Sequence, residues 1–241
     1  MSQNIYNPEY IKGLFNQMSS SYERVNYISS FGFSVRWRRQ VLKKVKVTQE
    51  KVEVIDLMTG IGEMWNAIAH QLPNATISAL DYSESMLEKA KNKNNLKYDG
   101  KVNLMLQNVL ENELPTNHYD YVTCSFGLKT FNNEQIEVLA NEIKRILKPG
   151  GQFSFIEVSE PRNKVLKFFY GIYIGGFIPV LGTMLFGRVN EYKMLWRYTK
   201  QFKDAKLASE CFKSIGLDNT FHSFFFGCAT GFSGQKDVNQ C

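Results

Sequence analysis

Residues 51–86 read KVEVIDLMTGIGEMWNAIAHQLPNATISALDYSESM, and the order of features in this stretch decides the fold. Val52, Val54, Ile55 and Leu57 form the short apolar run of a parallel strand covered on both faces. Gly60 and Gly62 then allow a tight turn in which backbone approaches a ligand closely. Ile77 to Leu80 form a second strand, and Asp81 follows it, 19 residues beyond Gly62. A carboxylate there suits a bidentate hydrogen bond to a ribose diol.

The glycine spacing also narrows the nucleotide. A G-x-G-x-x-G fingerprint needs glycine at position 65, where this chain has Trp65. That third glycine lets a helix pack closely beneath a pyrophosphate. Glu63, near the helix start, repels a diphosphate. A ligand with a ribose, an adenine and a cationic centre but no phosphate fits better, and S-adenosylmethionine is such a ligand.

Working outward, residues 8–46 read as two helices, with Trp37, Val41, Leu42 and Val45 on one face. Ser83 suits the N-cap of a helix through Met86, Leu87 and Ala90. Residues 101–110, KVNLMLQNVL, form a third strand, and YDYVTCSFGL, 119–128, a fourth. Asn132 or Asn133 starts the helix IEVLANEIKRIL, which Lys148-Pro149-Gly150-Gly151 stops before the fifth strand, QFSFIEVSE. Ile215-Gly216-Leu217 ends a further helix, and a closing hairpin follows. Strands alternating with helices predict an α/β, doubly wound, Rossmann-like sheet.

The chain's 241 residues suffice for one domain with an ample core. The start, MSQNIYNPEYIK, lacks the apolar core of a cleavable signal. Cys124, Cys211, Cys228 and Cys241 have no C-x-x-C spacing and read as reduced thiols, so neither a disulfide framework nor a metal site is expected. A cytoplasmic protein follows. The net charge of +6 gathers in RWRRQVLKKVK at 36–46 and around Arg188, Lys193, Arg197, Lys200 and Lys203. Solvated helix faces beside an anionic surface or substrate account for these clusters better than an RNA-binding face.

Residues 168–187, FFYGIYIGGFIPVLGTMLFG, are 20 residues without a charge, flanked by Arg162, Lys164, Lys167 and Arg188. Length alone allows a membrane span. Five glycines and Pro179 divide the run, so the expectation is a broken helical insert that lids an apolar pocket and can rest on a bilayer. The expected layout is one domain over 1–241. It has an N-terminal helical cap (1–46), a cofactor-binding core (47–160), the lid insert (161–205) and a closing helix and hairpin (206–241).

These pieces in this order resemble a class I methyltransferase, and more narrowly the ubiquinone/menaquinone C-methyltransferase (UbiE-like) family. LFNQMSSSYERVNYISSFGFSVRWR is similar to the family's N-terminal signature, placed on Phe15, Tyr22-Glu23, Asn26, Ser29 or Ser30, Gly32 and Trp37-Arg38. VIDLMTGIGEMW corresponds to the first nucleoside motif and ALDYSESML to the ribose motif. SFGLKTFNN resembles the Phe-Gly-Leu-Arg-Asn box with Lys129 for the arginine, and ILKPGGQFSFIEVSEP the Leu-Lys-Pro-Gly-Gly box. Met58-Thr59 stands where the family has small residues or glycine. In NEYKMLWRYTKQF, only Tyr192 and Leu195 match the family's Tyr-x-Tyr-Leu…Ser pattern.

The resemblance implies S-adenosylmethionine as cofactor and methyl transfer to a small apolar, aromatic acceptor, a quinone precursor or a specialised metabolite, on carbon or oxygen. Expected cofactor contacts are Gly60, Gly62, Asp81, Tyr82 and Met86, with Asn108 and Val109 at the adenine edge, Ser125 near the methionine moiety and Tyr22 as a gate. Catalytic candidates are Tyr192, Arg197 and His222, with Lys129 a further group that could orient a phenolic acceptor. The apolar lid suits neither nucleobases nor phosphates, so no nucleic-acid partner is expected; a homodimer and peripheral membrane contact are compatible with the chain. The competing readings are a nucleic-acid methyltransferase, prompted by the basic clusters, and a catalytically silent S-adenosylmethionine-binding protein, prompted by the lack of an evident base.

Overall fold

The computed structural model describes residues 4–19, 27, 30–177, 180 and 190–239. Its centre is a seven-stranded sheet: β1 (Val52–Leu57), β2 (Ala75–Asp81), β3 (Asn103–Leu106), β4 (Tyr119–Ser125), β5 (Leu147–Val158), β6 (Leu217–Phe224) and β7 (Ala229–Lys236). The spatial order is β3-β2-β1-β4-β5-β7-β6. Neighbours from β3 to β5 run parallel, while β7 is antiparallel to both β5 and β6. The expected closing hairpin is therefore present.

Strand periodicity assigns the two faces. Val52, Val54, Ile77 and Ala79 point into one core with α2 (Phe33–Leu42), α3 (Trp65–Gln71) and α4 (Glu84–Lys97). Ile55, Leu57, Leu80 and Val122 point into the other, with α5 (Asn133–Ile146) and α8 (Lys206–Ser214). A third cluster joins Leu14 and Met18 of α1 (Pro8–Met18) to Ile61, Met86 and Tyr198 of α7 (Asn190–Phe202).

Helix starts follow local chemistry. Asn7, Ser83 and Asn132 each cap a helix through a side-chain oxygen. Asn132 and Gln135 complete a capping box.

Three strand boundaries differ from expectation. β3 stops at Leu106, because Asn108 Oδ1 accepts the Leu110 amide at 3.1 Å and turns the chain. β4 stops at Ser125, where Phe126 takes a φ of +67°. The Lys148–Gly151 turn does not end α5. Leu147 is already extended and pairs with Tyr119, and Gly150 at φ +78° makes an irregularity inside β5.

After β5 come α6 (Lys164–Ile172), a π turn (Tyr173–Phe177) and, beyond residues outside the described set, α7. Over its described part the insert does not break at Gly175-Gly176: α6 passes directly into the π turn that contains both glycines. Pro179, Gly182 and Gly187 lie outside the described residues. Among those described, no helix is long and apolar enough to cross a membrane.

Candidate active site

The order of strands reverses between β1 and β4, and a crevice opens at their carboxyl ends, where ligands bind in doubly wound sheets. Its walls are the segments that leave β1 (Met58–Gly60, Glu63), β2 (Asp81–Ser83), β3 (Gln107–Leu110) and β4 (Ser125–Gly127). The cleft opens to solvent, and the empty space of the cleft together with its mouth is about 810 Å³.

Helix α1 forms the roof. Pro8, Ile11, Lys12 and Phe15 line the cleft at i, i+3, i+4 and i+7 spacing, one face of the helix. Ser83 Oγ donates to Asn16 Oδ1 at 2.6 Å, and Lys12 pairs with Glu84 at 2.5 Å. The Tyr82 hydroxyl donates to Glu9, beneath the Lys12 ammonium. At the other end Gln135 Nε2 donates to the Tyr6 carbonyl at 3.0 Å, and the Tyr198 hydroxyl donates to that of Ile5. These contacts tie the roof to α4, α5 and α7.

The glycine turn divides its labour. Gly60 sits at φ +58°, and a Cβ there meets nothing within 4 Å, so the space beside it belongs to the cleft. Its amide donates to Asp81 Oδ2 at 2.7 Å, while Asp81 Oδ1 accepts from the Ser83 amide at 2.9 Å. An ionised carboxylate has about four acceptor sites, so this one keeps capacity for a diol. Burial raises the Asp81 pKa, and the backbone donors oppose it.

Gly62 corrects the expectation. It does not line the cleft; at φ +77°, its missing Cβ makes room for the Trp65 indole, which a Cβ would meet at 2.6 Å. Trp65 is fully buried and donates through Nε1 to Thr59 Oγ1 at 2.9 Å, and Thr59 in turn donates to Asp56 Oδ2 at 2.6 Å. Burial pushes the Asp56 carboxyl up to about 7, against the Thr59 and Thr123 hydroxyls that hydrogen-bond to it. The bulky residue in the third glycine position thus anchors the floor of the loop.

Arg38 is a buried hub at the far wall. Its Nε donates to Ser125 Oγ at 3.1 Å, an Nη2 pairs with Glu63 at 3.0 Å, and the guanidinium lies over the Phe126 ring at 4.6 Å. Glu63 therefore faces the cleft with a compensated charge, which weakens the repulsion argument drawn from its sequence position.

Of the expected cofactor contacts, the structure brings Gly60, Asp81, Tyr82, Met86, Asn108, Val109 and Ser125 together around one cleft. Tyr22 lies outside the described residues.

The acceptor-side candidates fare differently. His222 is half-buried on the edge strand β6, where Nε2 bonds Ser233 Oγ at 2.8 Å; burial, then Lys44, lowers its pKa. It does not reach the cleft. Lys129 is buried instead of reaching an acceptor, its Nζ 2.8 Å from Glu157 Oε1 and 2.7 Å from the Phe126 carbonyl. Arg197 is exposed on α7 and is absent from the cleft wall. Tyr192 is on the same helix, with its side chain outside the described set.

Residues the reading missed include Ile11 and Lys12 on the roof, Phe131 just before the Asn132 cap of α5, and Gln135 in the first turn of that helix. The helical spacing of 8, 11, 12 and 15 carried a usable signal for the first pair.

The cleft wall offers what a nucleoside needs. Gly60 leaves open space, Asp81 offers acceptor capacity, and Tyr82, Met86 and Val109 supply apolar wall.

The profile of the ubiE/COQ5 methyltransferase family matches residues 3–236. A demethylmenaquinone methyltransferase of Listeria welshimeri is 32% identical over 210 residues, covering 87% of this chain and 88% of the relative. One from Staphylococcus aureus is 30% identical over 239 residues, 98% and 97% of the two chains. Among solved structures, a phosphoethanolamine N-methyltransferase of Haemonchus contortus with S-adenosylhomocysteine shares the fold. Its TM-score is 0.64 at 17% identity, over 95% of this chain and 58% of that one. A SAM-dependent methyltransferase of Aquifex aeolicus gives 0.56 at 17% identity, over 82% and 88%. With the doubly wound sheet and the cleft already in place, the chain belongs to the ubiE/COQ5 methyltransferase family, and it is an S-adenosylmethionine-dependent methyltransferase.

Proposed function

We propose that the acceptor is a reduced quinone-type aromatic ring bearing an apolar tail, methylated on carbon. The observation that carries this reading is the 30% identity to a demethylmenaquinone methyltransferase along 98% of the chain, a length that includes the apolar insert. The apolar side chains of Phe15, Met58, Phe126 and Phe131 in the cleft support it.

When bound, S-adenosylmethionine supplies an electrophilic methyl group on a sulfonium. In our reading Asp81 holds the ribose diol, Tyr82 and Met86 flank the adenine, and Asn108 with Val109 meets its edge. Ser125, oriented by Arg38, faces the methionine moiety. Glu63 favours the cationic end without carrying an uncompensated charge, because Arg38 pairs with it.

Each titratable side chain on the described cleft wall is engaged: Lys12 with Glu84, Glu63 with Arg38, Asp81 with two amides and Tyr82 with Glu9. A quinol already provides an acidic phenol whose anion pushes electron density onto the ring carbon. Alignment, more than a strong base, is then the protein's contribution. Tyr192 remains the acceptor-side candidate, since Met194 and Leu195 of α7 pack in the same cluster as Ile11 and Phe15 of the roof. Arg197 and His222 are set aside on their positions.

The test uses methyl-labelled cofactor with three acceptors: a reduced demethylated naphthoquinone with a short isoprenoid tail, a catechol and RNA. Label bound to ring carbon of the first is expected. Label only on a phenolic oxygen or on RNA defeats the proposal.

A further inference from the structure

Helix α6 buries none of its residues. Its inner side rests on the sheet through partly buried Leu166 and Tyr170, and the Tyr170 hydroxyl donates to the Cys228 carbonyl at 3.3 Å. The opposite side carries Val165, Phe168, Phe169 and Ile172, exposed by 67%, 64%, 62% and 55%. Their i, i+3, i+4, i+7 spacing makes a continuous apolar stripe turned away from the core, the reverse of an ordinary surface helix.

Two neighbouring segments extend the stripe. Phe31, 76% exposed, stacks on Tyr173 at 5.7 Å, and Tyr173 stacks on Phe177 at 5.5 Å. Beyond β6, Phe225 packs on Phe33 at 4.4 Å and carries Phe226, 80% exposed, at its side. Three separate parts of the chain therefore contribute outward aromatic rings to one region, an exposed apolar surface larger than scattered single residues produce.

Among the described residues, the exposed charges around it are mainly basic. Arg162, Lys164 and Lys167 stand exposed at the start of α6, and Arg36 and Arg39 on α2. Among the described residues, the acidic groups beside them include Glu160, 2.7 Å from Lys167, and Asp204, 3.2 Å from Arg162; each carboxylate is less exposed than its basic partner.

We infer that this face docks on an anionic lipid bilayer, with the α6 stripe at the acyl boundary and the basic residues at the headgroups. An amphipathic helix with Lys and Arg beside an aromatic face lies in such an interface, and a negatively charged leaflet attracts the basic rim. A second copy of the chain offers the same apolar area but sets two basic rims against each other, a like-charge juxtaposition that opposes association. The inference stands on the surface alone and does not depend on which acceptor is methylated.

The test is co-sedimentation of the full chain with vesicles of phosphatidylcholine, alone or mixed with phosphatidylglycerol, at low and high salt. Binding is expected to the mixed vesicles and to weaken with salt. The double variant Phe168→Ser/Phe169→Ser should lower partitioning roughly tenfold to a hundredfold. Lys164→Gln and Lys167→Gln should each lower it about fivefold, and only on the anionic vesicles. Unchanged circular dichroism and unchanged S-adenosylhomocysteine affinity would show that the variants are folded. Failure of the wild-type chain to sediment, or binding indifferent to both sets of changes, overturns the inference. So does a concentration-dependent dimer that the double phenylalanine variant dissolves while vesicle binding persists.

Discussion

Two tryptophans in this molecule rest on glycines, in opposite surroundings. Trp65 is fully buried, edge-on to Tyr98, bonded to Thr59 and packed where a Gly62 Cβ would sit. Trp196 is only partly buried and lies against Gly171 and Gly175 of the insert. The first contact locks the loop that forms the cofactor cleft. The second seats the insert on α7 while α6 keeps its apolar stripe outside. One part of the chain is tightly packed beneath the cleft, and the other presents an exposed apolar surface.

The largest expected effect tests the rigid side. Gly62→Ala forces a non-glycine residue to φ +77° and places a Cβ 2.6 Å from the buried indole. Left-handed strain costs roughly 1–2 kcal/mol and overpacking typically about 1–3, so a loss of roughly 2–5 kcal/mol is expected in urea denaturation. Gly60→Ala, at φ +58° with nothing near its Cβ, should lose little beyond the strain but should weaken cofactor binding, because the new methyl enters the cleft. Similar stabilities for the two variants would remove the distinction drawn between these glycines.

That distinction was not readable from spacing. Both glycines fit a ligand-facing turn, and only the three-dimensional return of the Trp65 ring reassigns one of them. The alternation of strands and helices was readable, because buried strands declare themselves by apolar runs and Ser83 and Asn132 declare helix starts. The cleft wall from Asp81 to Ser125 followed, since it consists of residues just beyond strand ends. Groups whose fate depends on distant partners were not readable. Lys129 is consumed by Glu157 on β5, and His222 faces Ser233 through the register of β6 and β7. The roof helix had its periodicity in plain view, but nothing local said what that face covers.

The next effect is on binding. Asp81→Ala removes an acceptor that two backbone amides hold in place at 2.7 and 2.9 Å. Hydrogen bonds to a charged group contribute about 1.5–3 kcal/mol, so S-adenosylhomocysteine affinity should fall roughly 10–150-fold by calorimetry. Unchanged affinity in a folded variant contradicts the ribose assignment, and with it the idea that the rigid half is organised around the ligand.

The smallest effect tests the other side of the comparison. A Cβ at Gly175 falls 2.8 Å from Trp196 Nε1, nearly as close as the clash at Gly62. Three differences should soften it. Gly175 has no positive φ, its neighbour is a part-exposed ring able to move outward, and alanine constrains the unfolded chain more than glycine does. Strain and entropy oppose one another, so Gly175→Ala should change stability by less than about 1 kcal/mol. The displaced indole should still report the change as a shift in tryptophan fluorescence. Gly176→Ala, with nothing within 4 Å of its Cβ, is the matched control and should leave both readings near wild type. If Gly175→Ala instead costs as much as Gly62→Ala, the insert is packed as rigidly as the sheet, and the contrast between the two halves collapses.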